Sequence, residues 1–187
     1  MALPHALLVS LCEQSGSGYE LTRRFDRSIG YFWSATHQQI YRTLRSMEAD
    51  GWVSATVIPQ HGRPDKRVYT VSDTGRTELA RWIAAPLGGG RVGEAGVREL
   101  AVKLRGAAYG DSRALHEQVI ALRAERARTL DTYRGFEKQF ADSEPLRGNA
   151  LHHYLVLRGG IRTEEGTIAW LDEVAAALEA DSKLEAR

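Results

Sequence analysis

Trp33-Ser-Ala-Thr-His-Gln-Gln-Ile-Tyr-Arg-Thr-Leu-Arg-Ser-Met-Glu-Ala-Asp-Gly-Trp52 is the stretch on which the reading of the whole chain turns. Thr36 and Gln39 have the spacing of a capping box, in which a hydroxyl and an amide three residues on satisfy each other's backbone N–H groups. Gly51 supplies a stop. Between these signals Ile40, Leu44 and Met47 fall at i, i+4 and i+7, on one buried stripe. The opposite face carries Gln38, Tyr41, Arg42 and Arg45, long polar and cationic side chains on consecutive turns. A helix that buries one side and presents Gln, Tyr and Arg on the other suits the major groove of DNA. The alternative is an ordinary amphipathic helix whose polar face is merely solvated.

The flanking sequence bears on that choice. Upstream, residues 3–14 read as a helix with Leu3, Leu7, Leu8 and Leu11 on one face and Pro4 in its first turn. Residues 15–18 read as a turn. Residues 19–27 read as a second short helix, with Leu21 and Phe25 inward and Arg23, Arg24 and Arg27 outward. Gly30 breaks it, and Tyr31, Phe32 and Trp33 bridge as core aromatics into the third helix. Three short helices with tight joints form a helix-turn-helix. Downstream the period changes. Residues 52–58 and 68–71 are rich in β-branched residues and read as two strands joined by a Gly/Pro loop, a hairpin. The tip, Gly62-Arg-Pro-Asp-Lys-Arg67, carries three cations on a stiffened loop suited to phosphates or a minor groove. A merely solvated basic loop is the competing reading. The predicted architecture is a mostly α winged helix-turn-helix. Its candidate DNA-facing residues are Thr36, Gln38, Gln39, Tyr41, Arg42 and Arg45 on the helix, and Gly62, Arg63, Lys66 and Arg67 on the wing. Arg63, Lys66, Arg67 and the arginines of the second helix are expected to hold the backbone.

A fourth helix is predicted over 72–85, capped by Ser72 or Asp73. The Pro/Gly-rich run 86–93 is the linker-like segment, so the expected domains are 1–86, DNA-binding, and 94–187, helical. The second part reads as a short helix over 94–105, a long one from Asp111 or Ser112 to about Asp142, and another from about Ala150 to Ala180. Helices of roughly thirty residues extend about 45 Å. Their apolar faces need a partner, and a second copy of the chain is the simplest, so an antiparallel long-helix dimerisation domain and a homodimer are expected. The Gly159-Gly160 pair costs about 1 kcal/mol per glycine inside a helix, which points to a close neighbouring helix or a kink.

The 187 residues carry 25 Lys and Arg against 24 Asp and Glu, so any nucleic-acid surface has to be local. Cys12, the single cysteine, allows no intrachain disulfide and sits among leucines as a small core residue. The apolar start is too short to span a membrane and lacks a basic leader, so a cytoplasmic protein without membrane association is expected. No phosphate loop, nucleophile elbow or paired acids argue for an enzyme, and no cofactor is expected. Adjacent His152 and His153 point about 100° apart on a helix and do not share one metal ion. An anion- or hydroxyl-binding His153, helped by Arg158 or Arg162, is the effector-site candidate. A winged helix that binds protein instead of DNA is the alternative, although such a module has no need of Arg42, Arg45 and a basic wing together.

The chain resembles the PadR family of bacterial transcriptional regulators. The resemblance is carried by Gly18-Tyr-Glu-Leu21, residues 32–44, Glu48-Ala-Asp-Gly-Trp-Val53, Gly62-Arg-Pro-Asp-Lys-Arg-Val-Tyr69 and Asp73-Thr-Gly75. It continues more loosely in Val102-Lys-Leu-Arg105, His153-Tyr-Leu-Val-Leu157 and Trp170-Leu-Asp-Glu173. It implies a dimeric repressor of double-stranded, pseudo-palindromic operator DNA, responsive to a small aromatic or phenolic acid. It also implies that Tyr19 and Tyr41, with Arg63, Lys66 and Arg67, meet DNA, and that His153 belongs to a ligand site. The sequence departs from the phenolic-acid sensors in the linker, the wing tip and around Gly159-Gly160, which leaves the effector open.

Overall fold

The computed structural model describes residues 3–26, 35–60, 65–87, 94–143 and 145–185. Arg27, Gly30, the aromatic bridge Tyr31–Trp33, the wing-tip residues Gly62 and Arg63, and most of the 86–93 linker lie outside the described residues. The elements run α1 (Leu3–Glu13), β1 (Gly16–Ser17), α2 (Gly18–Asp26), α3 (His37–Ala49), β2 (Val53–Ile58), β3 (Lys66–Val71), α4 (Asp73–Ala84), α5 (Glu94–Arg105), α6 (Ser112–Glu137) and α7 (Gly148–Glu185). They divide into two compact units, residues 1–115 and 116–187.

The first unit is a winged helix built around α1. That helix is buried on nearly every side, from Leu3 and His5 through Leu11, as expected of a helix apolar all round. Leu21 and Phe25 of α2, Ile40, Leu44 and Met47 of α3, and Leu79 and Ile83 of α4 close over it. Each such side chain contributes roughly 1.5–3 kcal/mol on full burial. His5 ties α1 to α4: its ring stacks on Trp82 at 4.3 Å and 7°, and its Nε2 lies 3.0 Å from Glu78 Oε1.

The wing pairs in antiparallel register, Val53 opposite Val71 through Ile58 opposite Lys66. Residues 15–18 are more than the predicted turn. Gly16 and Ser17 pair with Tyr69 and Val68, giving a three-stranded sheet in the order β1-β3-β2. Glycine and serine carry no strand preference, so this short strand exists only because β3 is there to receive it.

The packing boundary falls later than the linker. α5 joins the winged helix: Val102 is part of its core, and Arg105 clasps Glu13 at 2.7 and 2.8 Å. Lys103 is fully buried, donating from Nζ to the Ala85 carbonyl, with the Trp82 ring centroid 5.1 Å away. The boundary expected at the Pro/Gly-rich run 86–93 therefore does not coincide with the division between the two compact units, which falls after Leu115.

In the second unit α6 and α7 run antiparallel, as the cross-pairs show. Arg123 meets Asp172 at 3.0 Å, Arg126 meets Glu164 at 3.4 Å, Arg134 meets Glu165 at 3.2 Å and Arg158 meets Glu137 at 2.7 Å. Gly160 has the predicted close neighbour: a Cβ there would stand 3.1 Å from the Tyr133 ring of α6. The α6 helix stops at Glu137, short of the predicted end, and tightens into 3₁₀ turns over Lys138–Ser143. The last helix is longer than predicted, 38 residues.

Candidate nucleic-acid interface

The α3 helix begins as its sequence dictates. Thr36 Oγ1 accepts from the Gln39 N–H at 3.2 Å, and Gln39 Oε1 accepts from the Thr36 N–H at 2.9 Å. It ends in a Schellman motif: the Gly51 N–H donates to Glu48 at 3.1 Å and the Trp52 N–H to Met47 at 2.8 Å. Gly51 takes φ +73°, a left-handed conformation that favours glycine. Both ends are thus fixed, and the rotation of α3 about its axis follows from burial of Ile40, Leu44 and Met47. Gln38, Tyr41, Arg42 and Arg45 face outward and are exposed. Among the described residues no hydrogen bond or ion pair engages Gln38, Arg42 or Arg45. Gln39 is exposed but spends its amide oxygen on the cap, as Thr36 spends its hydroxyl.

The second helix starts with a capping box of its own, which the sequence reading missed. The Ser17 N–H donates to Glu20 Oε2 at 2.8 Å and the Glu20 N–H to Ser17 Oγ at 3.3 Å. The signal was present in the Ser-x-x-Glu spacing of residues 17–20. Gly18 lets α3 come close: a Cβ there would lie 2.4 Å from Tyr41 Cε1. Tyr19 stays 58% exposed and Tyr41 40% exposed.

Between the start of α2, the outer face of α3 and the base of the wing lies an open groove of about 1070 Å³. Tyr19, Tyr41, Arg45, Lys66 and Arg67, five of the predicted residues, line it together with Arg23. The arginines of α2 divide. Arg23 is exposed, 6.0 Å over the Tyr19 ring. Arg24 turns back and donates to the carbonyls of Ser10, Gln14 and Ser15 at 3.0, 2.6 and 3.3 Å, so it closes the end of α1. Lys66 and Arg67 carry carboxylate partners. Lys66 Nζ is 2.8 Å from Glu20 Oε1, and Arg67 Nη2 is 2.5 and 2.6 Å from the two oxygens of Glu48. The Lys66 ammonium first, then the Ser17 backbone N–H, hold the Glu20 carboxyl down to about 2. Nothing in sequence spacing joins Glu48 to Arg67, because the contact exists only once the wing docks on α3.

The effector candidates do not converge within the chain. His153 is exposed on α7. Arg158 is five residues on, about 140° around the helix, and is paired with Glu137. Among the described residues no group of three or more His, Cys, Asp or Glu is placed to hold a metal ion, and no helix is long and apolar enough to cross a membrane.

Residues 7–81 match the model of the transcriptional regulator PadR-like family, and residues 98–179 match that of the virulence activator alpha C-terminal region. A probable transcriptional regulator of Mycobacterium tuberculosis, Rv1176c, is 68% identical over 186 residues, covering 96% of this chain and 98% of that protein. The negative transcriptional regulator PadR of Bacillus subtilis is 28% identical over 186 residues, with the same 96% and 98% coverage. The crystal structure of Bacillus subtilis PadR in complex with operator DNA covers 95% of this chain and 98% of its own, at 27% identity and a TM-score of 0.47.

Proposed function

Because the chain belongs to the PadR-like family of transcriptional regulators, we propose that it works as a homodimeric repressor that binds a pseudo-palindromic operator and is released by a small-molecule effector. The observation that carries the DNA-binding part is the outer face of α3. Gln38, Tyr41, Arg42 and Arg45 stand exposed in a row, on a helix whose rotation is fixed by three buried apolar residues and a cap at each end. Such a face offers hydrogen bonds to base edges, while the exposed cations along the groove offer charge to phosphates. Arg42, Arg45, Gln38 and Tyr41 are the residues assigned to the duplex, with Tyr19, Arg23, Lys66 and Arg67 beside them. Gly62 and Arg63, outside the described residues, are assigned to the duplex from the sequence alone. Gln39 and Thr36 serve it by holding the start of α3.

Dimerisation is supported by the large apolar side chains that α7 leaves exposed, Leu151, Leu155 and Val156 at 36%, 57% and 77%. Leu151 and Leu155, at i and i+4, share one face of the helix, and Val156 lies about 100° beyond Leu155 and widens that apolar surface. Two copies joined there would present two recognition helices, and half-sites about 34–36 Å apart would match them. Repression is supported by the Bacillus subtilis relative, a negative transcriptional regulator. The effector is assigned by chemical class, a small aromatic acid, with exposed His153 as the residue to test and Arg158 as a partner only if it leaves Glu137. To shift the population such a ligand must bind one separation of the recognition helices better than the other.

The test is a mobility shift on DNA from just upstream of the protein's own gene, at two salt concentrations, with and without a panel of aromatic acids. Salt-sensitive binding released by one compound supports every part of the proposal. Binding that no acid releases removes the aromatic-acid effector. No binding at low salt by the folded protein removes the DNA reading and favours a protein-binding winged helix. Loss of the effector response in His153→Ala, with DNA binding kept, would locate the ligand.

A further inference from the structure

Lys66 and Arg67, the two described cations of the wing, are already answered by acids, and those acids come from the two helices that flank the groove. Glu20 lies in the first turn of α2 and Glu48 in the last turn of α3. The position of Glu48 is unfavourable for its own helix, because the negative end of the macrodipole disfavours a carboxylate there. Its described partner is Arg67, across on β3. Glu20 occupies the mouth of α2, where exposed N–H groups and the helix dipole favour an anion.

We propose that Glu20 and Glu48 stand in for DNA phosphates: in the free protein they hold Lys66 and Arg67, and on DNA binding each cation exchanges its carboxylate for a backbone phosphate. This rests on the DNA-binding reading above. The exchange is easy because both pairs are reached by water. Lys66 and Glu20 are 34% and 46% exposed, Arg67 and Glu48 51% and 30%. Water screens such pairs and they contribute little. A phosphate of a duplex adds a gain that a protein carboxylate lacks, the release of condensed counterions. Glu20 stays in place when Lys66 leaves, because Ser17 holds its other oxygen through N–H and Oγ at 2.8 and 3.0 Å. Held at about 2, its carboxyl is ionised at every physiological pH, so DNA and not protonation drives the exchange.

The exchange has a definite signature. Each acid left behind faces the duplex, and that cost is common to all sequences. The pairs therefore lower the affinity for every duplex alike and leave the preference between duplexes unchanged. Before DNA arrives they also keep the base of the wing against α2 and α3.

The test uses the full chain and two fluorescent duplexes of equal length, one from upstream of the protein's own gene and one unrelated, titrated across a range of salt. Glu48→Gln is expected to tighten both several-fold by the same factor, with the wild-type salt slope. Arg67→Ala is expected to flatten the log–log slope by about 0.9 per bound protomer. Glu20→Gln, which keeps an oxygen for the Ser17 cap, should tighten both duplexes in the same way. Glu48→Gln binding at or below wild-type strength, or Arg67→Ala with an undiminished slope, would mean that Arg67 stays on Glu48 as a fixed strut, and would overturn the exchange alone. Wild-type protein that binds neither duplex at low salt would overturn the DNA reading and the exchange together.

Discussion

At the scale of single residues, position in the fold decides which charges are available. Arg24 and Arg45 are the same side chain. Arg24 is consumed by the carbonyls that end α1, while Arg45, without a partner among the described residues, lines the groove from α3. Glu20 is the most perturbed acid of the interface, and the sign of its effect on stability can be worked out. Its folded-state value of about 2 lies below the ordinary 4.5. Its contribution is therefore fully present above about 4.5 and is lost as pH falls toward 2. NMR titration of the side-chain carboxyl should give a midpoint near 2 in the wild type and a higher one in Lys66→Ala; equal midpoints would show that Lys66 is not the cause. Much at this scale was legible beforehand. Thr36 with Gln39, and Gly51, are local signals that need no tertiary structure. Glu48 with Arg67 was not legible, since sequence distance says nothing of how a wing lies against a helix.

Among elements, the instructive case is α5. Its helical period is plain in the sequence, but its allegiance is not. Composition placed a domain boundary before it, whereas Lys103, Val102 and the Glu13–Arg105 pair fasten it to the winged helix. Lys103 has no exposed surface and donates to the carbonyl just after α4. Burial pushes its ammonium below the usual lysine range, while Glu99, 3.6 Å away, favours the charge. Removing one member of such a buried arrangement costs about 3–5 kcal/mol. Lys103→Ala should lower the denaturant midpoint by a corresponding amount, and Lys103→Met, which keeps the stem, should lose less. Equal stability of all three proteins would show that α5 is not anchored there. β1 was illegible for a similar reason, for two residues without strand preference form a strand only because β3 offers an edge.

For the whole molecule, net charge was uninformative. A balance of +1 conceals a groove lined by Arg23, Arg24, Arg45, Lys66 and Arg67 against only Glu20 and Asp65. The long helices were legible from their period, and so was the need for something to cover them. Leu155 and Val156 are large apolar side chains at 57% and 77% exposure, a poor arrangement for an isolated chain in water. Val156→Asp is expected to shift the protein from dimer to monomer in sedimentation velocity, and to weaken DNA binding far more than loss of one distant side chain would. A variant that stays dimeric with wild-type affinity would place the interface on another surface.

The central claim is that the outer face of α3 reads DNA. It is tested most directly by comparing wild-type protein with Arg42→Ala/Arg45→Ala for binding to the upstream duplex and to an unrelated one at a single fixed salt concentration. The account predicts an intact fold by circular dichroism, a large loss of preference for the upstream duplex, and residual weak binding to both. An undiminished preference in the double variant would contradict it.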